Sequence, residues 1–126
     1  MTGIPTRAGM KDWSMHLRSV VTRSFSPEAR IVAVAERPEL VLVISWRLGT
    51  DPKRPSKRSK TIRLVVEEEA LIDYAAAPPG HRLMADARLQ EHLTEQLMRF
   101  DPDHVAALGR EPPVVLWTIG TATLLG

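Results

Sequence analysis

Seven basic residues fall between Arg47 and Arg63: Arg47, Lys53, Arg54, Lys57, Arg58, Lys60 and Arg63. One acid, Asp51, stands among them, so the stretch carries +6. Cations at this density have one obvious chemistry, the binding of anions. Along a nucleic acid, each phosphate they neutralise would release a condensed counterion. Against a protein, the same side chains would meet a carboxylate-bearing surface. These seven residues are therefore the expected partner-binding set, with nucleic acid or an acidic protein as the partner. Pro52 and Pro55 stiffen the segment that carries them.

The rest of the chain balances that charge unevenly. Residues 1–46 hold six bases and four acids, whereas residues 67–126 hold four bases and ten acids. A net charge of +2 thus hides a dipolar molecule.

Other chemistry-bearing residues have simpler explanations. His81 and His92 lie eleven residues apart in one helical segment, roughly 16 Å along its axis, too far to share an ion. His16 follows Asp12 by four residues, a spacing that makes a surface pair. Asp101, Asp103 and His104 read as a helix cap, and Glu67, Glu68 and Glu69 as a first helical turn that favours carboxylates. No phosphate loop, nucleophile elbow or zinc-protease pair occurs, and there is no cysteine to supply a thiolate or a disulfide. No catalytic residue, metal ligand or cofactor is assigned. A small enzyme or ligand-binding domain of unknown substrate is the alternative to an interaction module.

The elements that must position the basic segment follow from periodicity. Met10, Trp13, Leu17, Val20, Val21 and Phe25 recur at helical spacing, and Ser26-Pro27 ends that helix. Arg30 to Glu36 and Leu40 to Arg47 read as a hairpin around Arg37-Pro38-Glu39. In the second strand Leu40, Leu42, Ile44 and Trp46 share one face, the core face, and Trp46 therefore packs rather than stacks on a base. A third strand, Lys60 to Val66, puts Ile62, Leu64 and Val66 on the same side. The basic segment is the long loop between these two strands.

Beyond them, a helix runs from Glu67 through Ala70, Leu71, Tyr74 and Ala75 to a break at Pro78-Pro79-Gly80. A longer one spans His81 to Phe100, buried along Ala85, Leu89, Leu93, Leu97 and Phe100 and widened by Leu83, Met84 and Ala87. Arg82–Asp86 and Glu95–Arg99 would pair on its wet side. Asp101-Pro102 predicts a short helix to Leu108, and Val114 to Ile119 a last strand. The tail from Gly120 is weakly patterned.

The order α-β-β-β-α-α-β predicts an α+β fold, an antiparallel sheet of three to four strands packed against helices. The opening shares its element order with double-stranded RNA-binding domains. Those domains present bases at the start of their last helix, where this chain has Glu67-Glu68-Glu69. Val32, Val34, Val41, Val43 and Val65 make a second apolar face that needs a cover, from a helix, the C-terminal segment or a second subunit; a homodimer is the expectation.

The run W-R-L…D-P-x-R-P-x-K-R-S of Trp46 to Ser59, followed by the EEALIDY of Glu68 to Tyr74, resembles a family of short bacterial proteins catalogued only as a domain of unknown function. The resemblance implies a free-standing bacterial domain and carries no activity or site residue with it. At 126 residues one domain is expected, residues 10–126, behind a loose leader of residues 1–9, with Met10 an alternative start. Without a long apolar run or a signal-like start, the expectation is a cytoplasmic protein that does not enter a membrane.

Overall fold

A computed structural model describes residues 7–49, 57–104 and 112–126. Those residues form α1 (Arg7–Ser24), β1 (Arg30–Ala35), β2 (Leu40–Ser45), β3 (Thr61–Val66), α2 (Glu68–Ala76), α3 (Pro79–Arg99), β4 (Val114–Ile119) and α4 (Thr121–Leu125). The fold is mixed α and β, with one four-stranded sheet in the order β1-β2-β3-β4. No described helix is long and apolar enough to cross a membrane.

The sheet is mixed, which corrects the expected antiparallel arrangement. β1, β2 and β3 alternate in direction, but β4 lies parallel to β3. The reason is the connection. A hairpin returns the chain antiparallel, whereas two helices between β3 and β4 carry it back to the end where β3 began. Hydrogen bonds mark both ends of this parallel pair: the Thr61 N–H donates to Pro113 O at 2.9 Å, and the Glu67 N–H to Ile119 O at 3.0 Å.

The helices lie over one face of the sheet. Their joint core takes Leu17, Val20 and Val21 from α1, Ala85, Leu89 and Leu93 from α3, and the alternating residues of β2 and β3. Trp46 packs on that core, as its parity requires, with its ring centroid 6.2 Å from Phe25 and 5.8 Å from Phe100. Trp117 closes the same aromatic cluster.

Three local expectations change. Leu83, Met84 and Ala87 are exposed instead of widening the stripe of α3. At 100° per residue they stand about 100° to 200° around the helix from Ala85, so it is the i, i+4 line of Ala85, Leu89 and Leu93, continued by half-buried Leu97, that meets the core. Pro102–His104 are not helical; Asp101 Oδ1 accepts the Asp103 N–H in a tight turn instead, and the rest of that predicted helix lies outside the described residues. The tail forms α4, whose Leu124 is fully buried, a helix of five residues and too short for periodicity to reveal.

Candidate interaction face

The face of the sheet opposite the helices has no described element over it. Strand parity and register set out its rows. Arg30 pairs with Ser45 and Thr61 with Val114 at the end beside the basic loop. Val32, Val43, Arg63 and Leu116 make the middle row, and Val41, Val65 and Thr118 the far one. Val34 sits at a bulge in β1. Val32, Val34, Val114 and Leu116 keep 40%, 53%, 63% and 62% of their surface exposed. A shallow depression of about 420 Å³ lies between Val43, Thr61, Arg63, Pro112 and Val114. Thus the second valine face exists, and no described helix covers it.

The seven basic residues do not act as one patch. Lys53 and Arg54 lie outside the described residues. Lys57 Nζ reaches across 46 positions to Asp103 Oδ1 at 2.8 Å, leaving its side chain 15% exposed. The bond from Lys57, then that from the His104 N–H, lowers the Asp103 carboxyl below the ordinary carboxylate value. Arg58 bends back onto the sheet, donating from Nε and a terminal nitrogen to Ser45 Oγ at 3.1 and 2.9 Å. Its carbonyl accepts from His104 Nε2 at 2.9 Å, which makes Nε2 the protonated nitrogen. Lys60 is half-buried, and its N–H donates to Pro102 O. Arg47 is exposed, opposite Arg58 in an isolated bridge. Arg63 stands exposed in the middle row.

The bridge explains why the loop starts where it does. The Ser59 N–H bonds Trp46 O and the Leu48 N–H bonds Lys57 O, so the ladder continues past β2 before the chain departs. Gly49, at φ +67°, makes that departure in the left-handed region. Ser59 is wholly buried, its hydroxyl accepting from the Trp46 N–H and donating to Lys60 O.

Arg30 belongs to this surface and was not in the expected set. Its place opposite Ser45 puts it in the same row as the Arg58 guanidinium. Only its position at the start of β1, with a register that no local pattern sets, could have pointed to it. With Arg30 and Arg58 at one end, Arg63 in the middle row and no Asp or Glu at the outward strand positions, the face sets cations among apolar residues.

A second polar cluster lies among the helices. His16 Nε2 is 2.9 Å from Asp86 Oδ2, and the Tyr74 hydroxyl donates to Asp86 Oδ1 at 2.6 Å. Burial first, then the hydrogen bond to Asp86, pushes the Tyr74 hydroxyl well above its usual value. The expected Arg82–Asp86 pair is replaced here, and the side chain of Asp12, the expected partner of His16, lies outside the described residues. His16 bonds a residue 70 positions away, and the Arg82 guanidinium lies 4.3 Å above the Trp13 ring instead of on Asp86. The cluster ties α1, α2 and α3 together, and the described depressions are lined by other residues. Among the described residues no group of three His, Asp or Glu could hold a metal ion. Set beside known proteins, the chain matches no family model, no curated protein and no solved structure.

Proposed function

We propose that this chain is a macromolecular interaction module that docks an acidic protein on the open face of its sheet. The observation that carries the reading is an exposed apolar sheet face with arginines at one end and in its middle row and no carboxylate in its strands. Contiguous exposed apolar surface rimmed by polar residues marks interaction sites. Arginine and apolar side chains together suit a protein interface, since arginine is enriched there. A nucleic acid fits less well. Phosphates would satisfy Arg30, Arg58 and Arg63 but leave Val32, Val34 and Leu116 uncovered. Bases would need aromatic platforms, and no aromatic residue occupies the open face.

The test uses a photo-crosslinker in place of Val32, activated in nuclease-treated lysate, and a second protein in which Arg63 is changed to glutamate. The reading expects one crosslinked protein whose contacting segment is acidic, and its loss in the Arg63→Glu variant. Crosslinking that Arg63→Glu does not weaken, or binding that disappears with nuclease, would sink it. Nuclease-sensitive binding would put the nucleic-acid reading in its place.

A further inference from the structure

We propose that two copies of this chain join edge to edge through β4, antiparallel and centred on Leu116, to form one eight-stranded sheet. The sheet has two edges, and they differ. On β1 the ladder is broken by the bulge between Ala33 and Ala35, and the Arg18 guanidinium donates to the Ile31 carbonyl at 3.4 Å. Bulges and covering charges are means by which an edge is kept from pairing. β4 has neither. Its six residues, VVLWTI, carry no charge, no proline and no register shift.

The direction of its backbone groups follows from the two bonds that end the β3–β4 ladder. Pro113 and Ile119 turn their carbonyls to β3. By the period of two, residues 113, 115, 117 and 119 face β3. Val114, Leu116 and Thr118 therefore aim their N–H and C=O groups away from it. Among the described residues no hydrogen bond reaches these three donors and three acceptors. A row of six such groups on a straight edge is a template for another strand.

Charge selects a second copy as that strand. One end of the sheet carries Arg30, Arg47, Lys57, Arg58 and Lys60 against Asp101 and Asp103; the other carries Glu36, Glu39, Glu67, Glu68 and Glu69 against Arg37, so the ends keep opposite net sign. Antiparallel pairing turns one copy by half a revolution. The basic end of each then lies beside the acidic end of the other. With Leu116 opposite Leu116 of the partner subunit, Val114 meets Thr118 of the partner subunit, and all six groups of each copy are paired. A face-to-face dimer has the opposite problem, since the face that each copy presents carries Arg30, Arg58 and Arg63 and its strands hold no acid to meet them. The edge dimer leaves the open face free, and so it is independent of the docking reading above.

The experiment is sedimentation of the full chain from 1 µM to 1 mM, with amide exchange followed at low and high concentration. The expected mass rises from the 14.1 kDa of one chain to twice that. In the parent protein the amides of Val114, Leu116 and Thr118 should slow as concentration rises. Leu116→Lys sets two like charges opposite one another and should raise the dissociation constant about tenfold or more. Val32→Lys, on the far side of the same face, should leave it unchanged. A single-chain mass up to 1 mM overturns the proposal, as does a dimer indifferent to Leu116→Lys. The concentration-dependent exchange decides the matter without any variant: if those three amides do not slow, β4 is not the seam.

Discussion

At the residue scale, the basic loop is less free than its charge implies. Lys57 is committed to Asp103, and Arg58 to Ser45. The Asp103 shift has a readable sign. A carboxyl whose folded value is lowered contributes stability above its unfolded value of about 3.8, and that contribution is lost as pH falls through the lower folded value. Lys57→Gln removes the largest cause. The Asp103 midpoint, followed by carboxyl carbon NMR, should then rise toward the ordinary value while staying below it, because the His104 N–H still donates to Oδ1. A midpoint that does not move would mean that the bond is not formed in solution. Tyr74 behaves in the opposite sense: its raised value favours the folded state at neutral pH and withdraws that support only in strong alkali.

At the scale of elements, α3 shows how narrow a buried stripe can be. Leu93 is fully buried against the sheet, whereas Leu83 on the same helix is 71% exposed. Leu93→Ala should therefore cost about 2–5 kcal/mol of stability by denaturant titration. Leu83→Gln should stay within about 0.5 kcal/mol, as surface substitutions do. Similar losses from the two would show that the helix is rotated from the orientation described. The same helix also supplies Asp86, so its rotation is held by packing on one side and by His16 and Tyr74 on another.

For the whole molecule, one property matters most: a sheet whose one face packs on the helices while the other keeps Val32, Val34, Val114 and Leu116 exposed. Binding through the open face should combine apolar contact with its cationic side chains. Changing Lys53, Arg54, Lys57, Arg58 and Lys60 together to glutamine should weaken capture of the acidic partner and flatten its salt dependence, and should cost more stability than the ~0.5 kcal/mol of an ordinary surface change, because Lys57 and Arg58 also hold Asp103 and Ser45. If duplex DNA were the ligand, the parent would instead show a log–log salt slope of up to about −4.5 for five phosphate contacts. Competition of the two ligands against the parent and the variant reads both outcomes in one titration.

Much of the element layout was legible in the sequence, because it rests on local periodicity. The parity of Leu40, Leu42, Ile44 and Trp46 placed all four toward the core, and the second valine face followed from the same alternation. Helix α4 escaped because five residues carry too little pattern. The direction of β4 could not be read at all. It depends on where two helices return the chain, and a strand's own residues are the same in either direction. Contacts spanning 46 and 70 positions, Lys57 to Asp103 and His16 to Asp86, are likewise set by how elements cross. For the same reason only the tertiary structure decided which arginines share the open face: Arg30 joins Arg58 and Arg63 through strand register, which no run of neighbouring residues encodes.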